Sequence, residues 1–214
     1  MQLPTKYSCV CMALLVATIP ANATLELLNF DDLPARSSSP FPLPGSGVIT
    51  NGYGGLNWNT FTVINPATSG FTAFSAGVVS PNNVALAGND SISAPAIFDL
   101  QSAYLTASSG IFTASRPLRV QVEGFLGTTM LYSNSYPVSG TVPTLFNFNF
   151  VGVDRVSFIT SQFGPVTSPL QEFVMDNLTV NFPAPEPSTT ALVTMGVVCA
   201  AVKTKRLRKI RRAR

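Results

Sequence analysis

Apolar and polar residues alternate along most of this chain in short runs of period two, each closed by Gly, Pro or Asn, and no segment sustains a 3.6-residue apolar period. Leu25, Leu27, Leu28 and Phe30 predict a first strand that stops at Asp31 and Asp32. Residues 34–55 are crowded with Pro, Ser and Gly and predict a long loop, because Pro cannot donate a ladder hydrogen bond. A strand over 58–64 would set Trp58, Thr60, Thr62 and Ile64 against Phe61 and Val63, ending at Asn65-Pro66. Short strands at 77–79 and 84–86 flank the turn Ser80-Pro81-Asn82-Asn83, and a longer one covers 97–106. The cleanest alternation lies at 118–125: Leu118, Val120, Val122 and Gly124 face one way, Arg119, Gln121 and Glu123 the other, so one side of that strand is wet. Its hairpin partner follows Gly127, over 128–132. Residues 145–150 set Phe146, Phe148 and Phe150 against Leu145, Asn147 and Asn149, and Val156, Phe158 and Thr160 form the next strand. In 173–182, Phe173, Met175 and Asn177 oppose Val174, Asp176 and Leu178. About eight to ten strands between such turns predict an all-β fold, a jelly-roll or two-sheet β-sandwich, with the phenylalanines packed between the sheets.

The two ends are patterned differently. Lys6 precedes an apolar run at 9–19 broken only by Thr18, and Pro20 leads into Ala21-Asn22-Ala23. A positive start, a short apolar stretch and a small-x-small site make a secretory signal, with cleavage expected after Ala23. At the other end Pro183, Pro185 and Pro187 form a stiff spacer, residues 188–202 are uncharged, and a basic tail begins at Lys203. That order predicts one C-terminal hydrophobic helix across a membrane, cations on the cytoplasmic side and the domain outside. The chain thus divides into 1–23, a signal peptide; 24–182, a β-sandwich domain; and 183–214, a sorting segment.

The tail resembles the PEP-CTERM sorting signal, with Pro185-Glu186-Pro187 as the motif and Ser188-Thr189 directly after it. The resemblance implies an exosortase-type membrane transpeptidase as partner and removal of the tail. It also implies a membrane-anchored precursor and a final place at the cell surface, outer envelope or extracellular matrix, with exopolysaccharide as a partner. The segments 98–104, 120–125 and 173–180 resemble strands of an exported jelly-roll family found ahead of such tails, and of carbohydrate-binding jelly rolls. That likeness implies a structural calcium ion between the first and last strands, which singles out Glu26, Asp31 and Asp176 with Asn177 as an amide donor. The alternative is that Asp31-Asp32 caps a loop while Asp176 pairs with Arg155 or solvent.

Charge and composition narrow the function. Of 214 residues, 11% are charged, and eight of the thirteen basic residues lie at or beyond Lys203. From Thr24 to Pro183 four arginines stand against nine acidic residues, a net of −5, so a nucleic-acid partner for the domain loses its support. Cys9, Cys11 and Cys199 all fall in the apolar ends, and the chain has no His, which removes the commonest general base. No nucleophile elbow, phosphate loop or EF-hand is present. Asp99 and Glu123 are the candidate pair for an enzyme acting on extracellular polysaccharide, though nothing in their spacing joins them. Tyr53 and Trp58, flanked by Asn51, Asn57 and Asn59, suit an aromatic sugar platform with amide partners; a lone Trp at a strand start also suits a core anchor. The expectation is a non-catalytic exported protein with a polysaccharide-binding β domain.

Overall fold

Ten strands order themselves around two long ones that each serve two layers. The structure is a computed structural model and describes residues 23–35, 45–70, 72–108, 117–162 and 171–184. The strands are β1 (Thr24–Leu28), β2 (Ser46–Val48), β3 (Asn57–Asn59), β4 (Thr62–Ile64), β5 (Val84–Ala87), β6 (Asp90–Ser108), β7 (Leu118–Leu126), β8 (Thr129–Val138), β9 (Thr144–Gln162) and β10 (Glu172–Phe182). They hydrogen-bond in the order β2-β4-β5-β10-β6-β9-β7-β8, with β1 also on β10 and β3 also on β6, and every pairing is antiparallel.

The 19-residue strands β6 and β9 pair at both ends, with register shifts between Ser93 and Ser102, and Asn149 and Gly152 take positive φ. Such bulges bend a strand and let it change sheets. The latter half of β6 and the first half of β9 join β10, β5, β4, β2 and β1 in one layer. The first half of β6 and the latter half of β9 join β3, β7 and β8 in the other. The expected all-β sandwich is the fold of the unit Ala23–Pro183.

The core lies between the layers. Phe158 on β9 meets Phe173 on β10 with ring centroids 5.6 Å apart, and Phe61 meets Phe158 edge-on at 6.0 Å. Leu118, Val120 and Val122 on β7 are buried among them, as their alternation predicts. A second, smaller cluster (Ile64, Phe74, Val84, Leu86 and Val174) sits on the other side of β4, β5 and β10. The 3₁₀ segment Thr72–Gly77 supplies Phe74 to it, which is why all four residues of β5 are buried.

Several expectations change. Residues 58–64 are two strands, because Thr60 takes φ 62° and flips the phase, so Trp58, Phe61 and Val63 all reach the main core. Residues 77–79 are the end of a 3₁₀ turn and its exit, with no strand. The loop expected over 34–55 contains β2, with Pro confined to the stretch before it. The C-terminal hydrophobic helix is the largest correction: among the described residues no helix is long and apolar enough to cross a membrane.

Residues 185–214, with Pro185, Glu186, Pro187 and the apolar run, lie outside the described residues, as does the leader up to residue 22. The physical reason for the correction is reach. Fifteen uncharged residues at 188–202 would extend only about 22 Å as a helix, against a hydrocarbon core of about 30 Å. The membrane-anchored precursor, and the membrane and exosortase partners that depended on a spanning helix, are withdrawn with it.

Candidate functional site

Of the two readings open for Trp58, sugar platform and core anchor, its ring takes the second and is turned inward. Trp58 is only 5% exposed and lies edge-on to Phe61 at 5.1 Å and to Phe30 at 5.8 Å. Its indole Nε1 donates to the Tyr53 carbonyl at 3.0 Å, and its backbone N–H donates to Asn51 Oδ1 at 2.8 Å. Tyr53 is half-buried beside it. The Tyr53 hydroxyl donates to Asp32 Oδ1 at 2.9 Å and accepts from the Phe30 N–H at 3.2 Å. Burial first, then the bond to Asp32, pushes that hydroxyl above the ordinary tyrosine range. Asn57 and Asn59 flank Trp58 with the opposite orientation and are exposed.

The four residues considered for calcium are separated by their own tasks. Glu26 pairs with Val180 across β1 and β10. Asp31 Oδ1 accepts from the backbone N–H groups of Asn82 and Asn83 at 2.9 and 2.8 Å. Asp176 is fully buried: its Oδ2 accepts from Val79 N and Ser80 N, each at 2.7 Å, and its Oδ1 accepts from Asn177 N at 2.7 Å and the Ser80 hydroxyl at 2.8 Å. The two aspartates thus clamp opposite ends of the 79–83 turn. Burial raises the Asp176 pKa, opposed by those backbone and hydroxyl donors. Among the described residues no group of three or more His, Cys, Asp or Glu is placed to hold a metal ion. Arg155, the other partner considered for Asp176, stands over the Phe125 ring, 3.8 Å from its centroid.

Asp99 and Glu123 are not brought together. Asp99 Oδ1 accepts from Gly152 N at 2.9 Å and its Oδ2 from Asn181 Nδ2 at 3.0 Å, whereas Glu123 accepts from Gln121 Nε2 at 2.7 Å. Neither has a hydrogen-bonded partner in common with the other.

What the strand order does assemble is a polar sheet face. On the outward side of β3-β6-β9-β7-β8, the register aligns Asn59, Ser91, Ser157, Glu123 and Ser133 in one row across five strands. Neighbouring strands are about 4.8 Å apart, so the row is about 19 Å long. None of the five is buried. Inward neighbours explain their direction: Trp58, Ile92, Val156, Phe158 and Val122 fill the core from the same strands. Side chains on this face hold one another in place. Gln121 Nε2 also reaches Ser133 Oγ at 3.2 Å, Arg155 Nη1 donates to Ser157 Oγ at 3.0 Å, and Arg119 Nη1 donates to Ser135 Oγ at 3.3 Å. The wet side of β7 was visible in the alternation at 118–125; the serines and asparagines of its neighbours were not, because only the register gathers them.

No protein-family model and no curated protein matches the chain. In fold it is similar to the solved CBM51 of Clostridium perfringens GH95 in complex with methyl-galactose, with a TM-score of 0.35 and 7% identity over 72% of this chain and 99% of that one. It is similar also to TmCBM61 in complex with β-1,4-galactotriose, with a TM-score of 0.32 and 9% identity over 72% of this chain and 97% of that one. At these scores and identities neither likeness bears on what this chain binds.

Proposed function

We propose that this chain is a non-catalytic protein that binds polysaccharide on the outward face of β3-β6-β9-β7-β8. The observation that carries the reading is the five-strand row from Asn59 to Ser133, an open track of hydroxyl, amide and carboxylate groups suited to sugar hydroxyls. Hydrogen bonds among Gln121, Glu123 and Ser133 fix the side chains before a ligand arrives, which lowers the ordering cost of binding. The Arg155 guanidinium lies over Phe125, and its plane gives a sugar ring a flat surface to stack on. The alternative, hydrolysis by paired carboxylates, gains nothing from Asp99 and Glu123, whose hydrogen bonds run to separate partners. The same reading keeps the leader: removal after Ala23 frees a domain whose first strand starts at Thr24.

Ser157→Trp tests this face, since it fills the centre of the row without touching the core. Affinity electrophoresis through gels cast with soluble polysaccharides should show retardation of the native protein and none of the variant, at equal melting temperatures. Equal retardation of both proteins, or of neither, would overturn the reading.

A further inference from the structure

We infer that the polysaccharide taken by this face is anionic, a chain carrying uronate carboxylates, laid lengthwise along β7 between Arg155 and Arg119. The inference rests on the polysaccharide reading of the face and adds the charge of the ligand and its direction: along β7, crossing the five-strand row at Ser157, Glu123 and Ser133.

Charge placement carries it. Among the described residues the positive side chains are Arg119 and Arg155, against nine acidic ones, and both arginines stand on this face. Arg155 is opposite Phe125 in the β9-β7 register, and Arg119 is opposite Ser161. In a domain of negative net charge, this is where an anion finds a favourable potential. Both guanidiniums are oriented by hydroxyls, Arg155 through Ser157 and Arg119 through Ser135. The planar guanidinium fork, with its five donors, matches the geometry of a carboxylate.

Spacing then selects a polymer. Outward side chains on β7 recur every second residue, so Arg119 lies about 20 Å along the strand from the Phe125 level where Arg155 sits. That is the length of several pyranose units in an extended chain, too far for one sugar to bridge. Between the two arginines come Gln121 and Glu123. Glu123 repels a carboxylate, so the ligand presents hydroxyls there, and the carboxylates that matter sit at the two arginines. Ser133 and Ser135 on β8 line one side, and Ser157 and Ser161 on β9 line the other.

The test is calorimetry of the full chain with tetragalacturonate and with its carboxyl-reduced neutral counterpart. The uronate should bind about tenfold tighter at low salt, with the gap closing as salt screens the charges. Arg155→Gln and Arg119→Gln should each narrow that gap, Arg155→Lys should restore part of it, and Glu123→Gln should widen it. If Arg155→Gln fails to fold, Arg119→Gln on the exposed side of β7 still decides the matter. Equal binding of the two oligomers, or a preference untouched by both glutamine variants, overturns the anionic inference and leaves the polysaccharide reading standing. Binding of neither overturns both.

Discussion

Asp176 and Ser80, ninety-six positions apart in the chain, are joined by the Ser80 backbone N–H on Oδ2 at 2.7 Å and the Ser80 hydroxyl on Oδ1 at 2.8 Å. With Val79 N and Asn177 N also on this carboxylate, Asp176 fastens the segment after the 3₁₀ turn to the outward side of β10. A buried N–H left without an acceptor is costly. Asp176→Ala should therefore destabilise the domain by about 3 kcal/mol or more, and Asp176→Asn, which keeps one oxygen, by less. Urea unfolding measures both. A loss under about 0.5 kcal/mol for the alanine variant would show that the clamp adds little.

Trp58 is the only tryptophan, and its burial makes it a reporter of the core. Native emission should be blue-shifted and poorly quenched by acrylamide, shifting red on unfolding. Trp58→Ala should cost about 3–5 kcal/mol, through the cavity among Phe30, Phe61 and Tyr53. A red-shifted, readily quenched native spectrum would place the ring in solvent and restore it as a sugar platform.

The strands were legible where the backbone stays extended and obscure where a non-glycine residue takes a positive φ. On β7 the period-two reading holds from Leu118 to Gly124, because nothing interrupts the pleat. On β10 the single alternation fails: Phe173 and Met175 face the main core, and so do Leu178 and Val180, after Asn177 at φ 50° shifts the phase. The sequence shows Asn177, but the buried carboxylate of Asp176 that fixes the Asn177 N–H and the distant loop is a tertiary fact. The candidate site suffered likewise. A lone Trp at a strand start suits a sugar platform or a core anchor, and only the fold, which sets Trp58 among Phe30, Phe61 and Tyr53, decides for the core. Asn59, Ser91, Ser157 and Ser133 look ordinary one by one and become a track only through β3-β6-β9-β7-β8 adjacency, which no local pattern encodes.

Gly124 is the inward position of β7 with no side chain, under a stacked pair. Tyr132 and Phe150 lie 4.6 Å apart at an interplanar angle of 8°. A Cβ at Gly124 would meet Phe150 Cδ2 and Val153 Cγ1 at 3.0 Å and Tyr132 Cδ2 at 3.1 Å, tighter than ordinary contact. Gly124→Ala should cost about 1–3 kcal/mol by overpacking. Gly127→Ala is the comparison, because the hairpin glycine meets no atom within 4 Å but holds φ 58°, so its cost is backbone strain alone. Thermal melts of the two variants separate these causes: near-ultraviolet circular dichroism of the Tyr132–Phe150 region should change in Gly124→Ala only. An unchanged spectrum and melting temperature for Gly124→Ala would mean that the stacked pair has room to spare.

Glu172 and Asp90 make the domain sensitive to pH in a direction opposite to that of most paired carboxylates. Burial raises the pKa of each; the neighbouring Asp90 charge raises Glu172 further, while the Gly88 N–H, 2.7 Å from Asp90 Oδ2, partly offsets the effect on Asp90. Thr60 Oγ1 donates to Asp90 Oδ1, and no cation compensates the pair among their described partners. Both groups bind protons more tightly in the folded chain than in the unfolded one, where they titrate near 3.8 for Asp90 and 4.5 for Glu172. Their contribution to stability is therefore complete below those values and is lost as pH rises through the higher folded ones. The expected result is a urea midpoint that falls between about pH 4 and neutrality by more in the native protein than in Asp90→Asn or Glu172→Gln. Comparing variants with the native chain removes the background from the other carboxylates, which all three share. Asp90→Asn should flatten the profile most, because it removes one titration and relieves the other. Parallel profiles for all three proteins would mean that the two carboxylates titrate alike in the folded and unfolded chains.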